Sequence, residues 1–348
     1  MNKDIKSLVR PNILGLEPYS TARDEYQGGS LGVFLDANES PYENGVNRYP
    51  DPHQKALKAR ISQIKGIPVA NIFLGNGSDE AIDLVLRVFC TPGKDNVVAI
   101  APSYGMYAVA AATNDIQVRS VTLGQDWSLP VDEILNRCDA CTKAVFICSP
   151  NNPTGNAFPA HQILEIADKV NAMVVVDEAY IDFSSQPSLS AHIGTHNNII
   201  ILQTLSKAWG MAGMRIGMAF ADESVIELMS RVKYPYNINC LAQQKALEML
   251  QAGEPNIKEI IRDRQMLSQR LAAMPFVQKV YPSDANFLLV KTTDANSIYD
   301  YLIDCGIIVR NRNRVLKCQG CLRITVGTSQ ENEKLLQALE NYGAEAQR

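Results

Sequence analysis

Four short runs constrain this 348-residue chain more than anything else in it. They are "NVVAIAPS" (96–103), "KAVFICSP" (143–150), "AMVVVDEAY" (172–180) and "NIIILQTL" (198–205). Each is rich in Val and Ile, continuous rather than alternating, and closed by polar or turn residues. A strand with no polar face has to be covered on both sides. Helical patterns lie between and beside these runs. In "GSDEAIDLVLRVFC" (77–90), Ile82, Val85, Leu86 and Phe89 line one face, and Asp79 and Glu80 sit in the first turn, where acidic side chains favour a helix start. "PAHQILEIADKV" (159–170) repeats the pattern with Ile163, Ile166, Ala167 and Val170. Strands alternating with helices predict an α/β fold: a large, mainly parallel sheet with helices on both faces.

Near "QAGEPNIKE" the rhythm changes. A long helical pattern over 257–271 leads into two strand-like runs, "NFLLVKT" and "CLRITVG", with the helical "ANSIYDYLIDCG" after the first. This predicts a smaller α+β domain. The expected division is an N-terminal arm at 1–40 packing with the small domain, a large domain at 41–250 and the small domain at 251–348.

Charge and cysteine usage exclude several classes. Lys and Arg number 33 against 37 Asp and Glu, a net charge of −4. No basic block points to nucleic acid or an anionic membrane. No apolar run is long enough to span a bilayer. "MNKDIKSLVRPN" has no apolar core of a secretory signal, so a cytoplasmic location is expected. Eight cysteines are spread thinly, which argues against a disulfide scaffold. The pairs Cys138/Cys141 and Cys318/Cys321 have zinc-like spacing, but they lie far apart and each precedes a strand-like run. They read as reduced thiols. His192 and His196 lack the glutamate of a zinc helix and have Gly194 between them. No metal is expected.

The unusual residues gather where strands end, which is where parallel sheets collect their chemistry. Lys207 follows "NIIILQTL" and is followed by a second apolar run opening at Arg215. A lysine there is partly desolvated, which favours the neutral amine, a nucleophile able to form an imine with an aldehyde. An imine cofactor such as pyridoxal phosphate needs four further things: an acid for its ring nitrogen, donors for its ring hydroxyl, an aromatic against the ring and an anion cradle for its phosphate. Asp177 closes the buried "VVVD" and needs a cationic partner. Tyr180 and Asn152 offer hydrogen bonds from adjacent strand ends. Tyr104 in "PSYGMY" is placed to stack. "GNGSDE" opens a helix, so the N–H groups of Gly77, Ser78 and Asp79 can face a phosphate. Arg215, Thr204 and Ser206 complete the cradle.

The order of these features resembles the fold-type I pyridoxal-phosphate enzymes of the class I and II aminotransferase family. "SPNNPTG", "DEAY", "TLSKAWGMAGMRIG" and "CLRITVGT" match that family's landmarks in sequence order. "LDANESPY", "NRYPDPHQKALK", "GNGSDEAIDLVLRVFC" and "PSYGMY" point further, to a branch whose amino donor is a phosphate ester. The resemblance implies that Lys207 carries the cofactor, Asp177 pairs with its ring nitrogen, and Tyr180 and Asn152 hold its ring oxygen. Tyr104 would stack on the ring, and Gly77, Ser78, Asp79, Thr204, Ser206 and Arg215 would surround the phosphate. Tyr49 would reach the phosphate of a neighbouring subunit's cofactor, which implies a homodimer with shared sites. Arg323 would take the carboxylate of glutamate or the phosphate of the second substrate, with Arg310, Tyr19 and Asn38 also on the substrate side.

Alternatives stay open at this point. A threonine-phosphate decarboxylase and an aromatic-amino-acid aminotransferase share most of these motifs. A non-catalytic cofactor sensor would carry a DNA-binding domain ahead of "LDANESPY", which begins at residue 35. A dinucleotide-binding enzyme would need G-x-G-x-x-G, and the turn at 75–77 fails that fingerprint.

Overall fold

The computed structural model describes residues 3–19 and 33–345. Its centre is a seven-stranded sheet in the order β1-β7-β6-β5-β4-β2-β3. The strands are β1 (Ile72–Asn76), β2 (Asn96–Ala101), β3 (Gln117–Thr122), β4 (Thr142–Cys148), β5 (Met173–Asp177), β6 (Ile199–Thr204) and β7 (Ile216–Ala221). β3, β2, β4, β5 and β6 pair in parallel, and β7 runs antiparallel to both β6 and β1.

The continuous apolar runs of the sequence are explained by two buried faces. Side chains alternate across a strand. Val98, Ile100, Val145, Ile147, Val174, Val176, Ile199 and Ile201 join one core layer. Their alternates Val97, Phe146, Val175, Ile200 and Leu202 join the other, with Ile82, Val85, Leu86 and Phe89 of the helix Ser78–Phe89. Asp177 falls on this second face, two residues beyond Val175.

A second sheet of order β10-β11-β9-β8 is antiparallel throughout. It comprises β8 (Val277–Val280), β9 (Phe287–Thr292), β10 (Arg310–Asn311) and β11 (Cys321–Thr325). Leu288, Val290, Leu322 and Ile324 pack against Leu267 and Leu271 of the helix Ile257–Ala272, Ile298 and Leu302 of Ala295–Asp304, and Leu336 and Leu339 of Ser329–Glu345. This layer is tied over the carboxyl edge of the large sheet. Asp284 donates its N–H to Gly155 O (2.7 Å), and Lys317 Nζ donates to the carbonyls of Leu123 and Gly124 (both 2.8 Å).

The sequence places the first forty residues with the small domain. Residues 3–14 instead lie on the large domain, and residues 20–32 of that arm fall outside the described residues. Ile5, Leu8, Val9 and Ile13 are buried in the layer that holds Val88 and Phe89. Arg10 donates from its N–H to Val88 O (3.0 Å) and from Nη1 to Arg87 O (2.9 Å). The helices Ile5–Leu8 and Pro11–Leu14 are single turns with no stability of their own, so they form only against a surface that takes their apolar side chains. Among the described residues no helix is long and apolar enough to cross a membrane.

Candidate active site

Six chain segments converge at the carboxyl edge of the large sheet. They are the turn after β1, the loop after β2, the "NNPTG" loop after β4, the end of β5, the Ser206-Lys207 turn after β6 and Arg215 before β7. They enclose a cavity of about 130 Å³ lined by Gly77, Asp79, Tyr104, Asn152, Asp177, Tyr180, Thr204, Ser206, Lys207 and Arg215, among others. The structure therefore gathers most of the sequence candidates into one place.

At one end sits Asp177, buried on the core side. Tyr107 donates its hydroxyl to Oδ2 (2.7 Å) and Ala179 its N–H to Oδ1 (3.1 Å). Both donors are neutral, and burial holds the carboxyl above the usual carboxylate range. A cation delivered to this end of the cavity would stabilise the ionised form. Tyr107 is the functional residue the sequence reading missed. It lies three residues after Tyr104, one helical turn on, stacks on Phe146 at 5.0 Å and meets the Tyr104 ring edge-on at 5.7 Å. Its spacing in "PSYGMY" was the available signal.

At the other end the backbone is shaped for an anion. The helix Ser78–Phe89 begins at Gly77 without a side-chain cap, which leaves its first N–H groups open to an anion. Gly77 has φ +74°, and a Cβ there would meet the Arg215 guanidinium at 2.5 Å. Gly77 N–H donates to Arg215 O (2.8 Å), which fixes the turn beside that arginine. Ser206 Oγ is buried with no hydrogen-bond partner among the described residues. Thr204 Oγ1 accepts from Ser206 N–H (3.0 Å) and thereby orients the turn. Asp79 does more than offer its N–H: its carboxylate accepts from Tyr104 Oη (3.0 Å) and contacts Arg215 Nη2 (3.4 Å).

Lys207 lies between these ends, with Nζ 5.7 Å from the centre of the Tyr180 ring. Partial burial, then Arg323, lower its pKa, Asp177 opposes them, and Arg215 lowers it further. The side chain stays open to the cavity, and solvent there moderates the effect. Burial likewise raises the phenols of Tyr104 and Tyr180. Arg323 is not in the cavity's lining but meets it through Asn152: its Nη1 donates to Asn152 Oδ1 (2.6 Å), and its guanidinium lies 5.2 Å from the Phe287 ring centre.

These observations fit pyridoxal 5′-phosphate. An orphaned hydroxyl, uncapped helix amides, a guanidinium and a glycine at positive φ beside it are suited to a phosphate. A buried acid at the far end is suited to a cationic ring nitrogen, and an open amine stands between them. Gly217 supports the cradle from β7: a Cβ there would collide with the Ser78 amide nitrogen and the Gly77 carbonyl group. Gly217→Ala is therefore expected to cost about 1–3 kcal/mol of stability through overpacking. It should also weaken cofactor binding at least tenfold, read from a thermal melt and a spectral titration. Unchanged affinity would show that the cradle tolerates displacement.

Four candidates are not brought to this cavity within one chain. Tyr19 is 74 % exposed. Tyr49 and Asn38 line a separate cleft with Val46 and Leu241, and Tyr49 stacks on Tyr236 at 4.4 Å. Arg310 is exposed and lines another cavity with Tyr299, Asp300 and Arg314.

The profile of the family "Aminotransferase class I and II" matches residues 25–339. A histidinol-phosphate aminotransferase of Parabacteroides distasonis is 52 % identical over 342 residues, 97 % of this chain and 99 % of that protein. Its counterpart in Bacteroides fragilis is 52 % identical over 343 residues, 98 % of this chain and 99 % of that one. Among solved structures, the histidinol-phosphate aminotransferase of Clostridium acetobutylicum superposes with TM-score 0.78 at 22 % identity, covering 86 % of this chain and 92 % of that one. An L-threonine-O-3-phosphate decarboxylase from Porphyromonas gingivalis superposes with TM-score 0.72 at 22 % identity, covering 85 % and 91 %. At that identity the two structures speak for the shared fold alone.

Proposed function

The chain belongs to the class I and II aminotransferase family, and we propose that it transfers an amino group reversibly between L-histidinol phosphate and 2-oxoglutarate. The products are imidazole acetol phosphate and glutamate, a step of histidine biosynthesis. The reading is carried by a cavity that holds Lys207, Asp177 and an anion cradle together, in a chain about half identical to named histidinol-phosphate aminotransferases over nearly its whole length. The cofactor is pyridoxal 5′-phosphate, which when bound supplies a carbonyl to accept the amino group and a ring to take up the electrons freed at the substrate's Cα.

The rest is work for this chain's side chains. Gly77, Ser78, Asp79, Thr204, Ser206 and Arg215 hold the phosphate end, with Tyr104 against the ring. Asp177 keeps the ring nitrogen protonated, supported by Tyr107. Tyr180 and Asn152 orient the ring oxygen. Lys207 carries the cofactor at rest and, once freed, moves the proton at the substrate's Cα. Arg323 binds the anionic end of either substrate, because one planar fork suits both a carboxylate and a phosphate.

We further propose that the chain works as a homodimer with shared sites, in which Tyr49, Asn38 and Tyr19 serve the partner's cavity or close over substrate. The exposed apolar side chains Val33, Leu35, Tyr42, Val46, Tyr49 and Leu241 support this. A division into an arm at 1–40, a large domain at 41–250 and a small domain at 251–348 is our working partition, with residues 3–14 of the arm seated on the large domain. Free thiols at all eight cysteines support a cytoplasmic setting.

The discriminating experiment assays purified protein with histidinol phosphate and 2-oxoglutarate, and separately with phosphothreonine. Formation of imidazole acetol phosphate supports the reading, whereas carbon dioxide release from phosphothreonine replaces it with a decarboxylase. Arg323→Ala should raise KM for both histidinol phosphate and glutamate by roughly ten- to hundredfold, the value of a charge-assisted hydrogen-bonded pair. A rise for only one substrate would show that Arg323 does not read both.

A further inference from the structure

We propose that Asn237 is a positioning residue of the cofactor-phosphate site: it holds the Glu80 carboxylate back against the turn after β1, off the helix amides that receive the phosphate. The inference rests on the cofactor assigned above and concerns a residue outside the cavity's lining.

The first turn of the helix Ser78–Phe89 carries two acids, Asp79 and Glu80. Helix-start amides attract any nearby anion, so a carboxylate of the same turn competes with a phosphate for them. A glutamate at the third helical position ordinarily folds back to the N–H of the capping residue. Here the cap is Gly77, whose N–H already donates to Arg215 O (2.8 Å). Asp79 is drawn aside by Tyr104 and Arg215. Glu80 needs a tether of its own.

Asn237 supplies it. Glu80 Oε2 accepts from Asn76 N–H, one residue before the cap. Asn237 Nδ2 donates to Glu80 Oε1 (3.1 Å) and Oε2 (3.2 Å), and to Leu74 O (3.0 Å). Both N–H bonds of that amide are thereby used. Its orientation is fixed from behind. Buried Gln54 donates from Nε2 to Asn237 Oδ1 (3.2 Å), and Asn76 Nδ2 donates to Asn237 O. Turned over, the amide would set its oxygen against a carboxylate and a carbonyl. Gly75 leaves the space, since a Cβ there would meet Glu80 Oε2 at 3.0 Å. One side chain thus ties Leu74 and Glu80 together across the turn that holds Gly77. Released, the carboxylate regains its ordinary route to the helix amides, as a rival to the phosphate and a like charge beside it.

The test compares pyridoxal 5′-phosphate with pyridoxal, which lacks the phosphate. Cofactor retention by the holoenzyme on dialysis is followed by spectral titration of each ligand back into the stripped protein. In N237A the dissociation constant for pyridoxal 5′-phosphate should rise about tenfold or more, the scale of one charge at a helix start, while that for pyridoxal changes less than about threefold. N237D keeps the side chain's size, cannot donate to Glu80 and sets a second acid beside it, so it should lose at least as much. E80Q can still accept from Asn76 and Asn237 on its carbonyl oxygen but carries no competing charge. N237A/E80Q should therefore bind pyridoxal 5′-phosphate more tightly than N237A. A merely structural role would weaken both ligands alike and leave the double variant no better than N237A. Either result overturns the proposal, as does unchanged affinity in N237A. If N237A fails to fold, N237D and N237D/E80Q carry the same decision. Histidinol phosphate takes no part in these titrations, so a failure to turn it over would sink the functional reading and leave this one to its own result.

Discussion

Lys207→Ala is expected to give a folded, colourless protein whose turnover is at least about 10⁴-fold below wild type, the upper range attributed to a positioned acid–base group alone. The loss is expected to exceed that of any other single substitution here, because the proposed function gives Lys207 two duties: carrying the cofactor covalently at rest and moving the Cα proton during reaction. The fold should survive. The Lys207 side chain is open to the cavity, with Nζ 5.7 Å from the centre of the Tyr180 ring, so truncation is expected to orphan no buried group. Wild type should purify yellow, and borohydride should fix the cofactor on Lys207, read as a labelled peptide by mass spectrometry. Label on a different lysine, or measurable turnover in Lys207→Ala at near wild-type rate, would remove Lys207 from the mechanism.

How much of this was legible beforehand depended on local patterning. β2, β4, β5 and β6 were legible because both faces are buried, which leaves an uninterrupted Val and Ile run. β3 was not: "QVRSVT" lies at the sheet edge and is largely solvated, so it carries no apolar signature. β1 is five residues long and contains a glycine, too little to distinguish from the turn it feeds. The cofactor cavity was legible because its parts sit at strand ends, where sequence order maps onto spatial proximity. The positions of Ile5, Leu8 and Ile13 were not, since a four-residue helix shows no period. Tyr49 and Asn38 carry a signal that one chain cannot resolve, and they lie in a cleft of their own. Arg310, Arg312 and Arg314 look equivalent in the sequence, because three alternating arginines differ only once a strand partner fixes their neighbours, and the register places Arg310 opposite Arg323.

Asp177→Asn is the other substitution with a large expected effect, and it separates binding from chemistry. Asparagine keeps the size of the side chain and can still accept the Tyr107 hydroxyl and the Ala179 N–H on its single carbonyl oxygen, one at a time. The loss in packing should be small. What disappears is the negative charge beside the ring nitrogen. In the buried layer next to Tyr107 and Phe146 that charge is expensive to hold, because burial raises the carboxyl's pKa, and its retention there needs a positive partner. With asparagine the nitrogen has no acid to keep it protonated, so the ring accepts electrons less readily. The cofactor should still attach to Lys207, with an absorbance band close to wild type, because the phosphate cradle is untouched. Turnover should drop by roughly 10²–10³-fold, comparable to removing one preorganised electrostatic partner of a developing charge. Deuterium at the substrate's Cα should then slow the variant more than wild type, since proton removal has become the slow step. Near-normal turnover with bound cofactor would exclude Asp177 from electronic activation. Failure to bind cofactor would instead make the acid a structural anchor of the pocket.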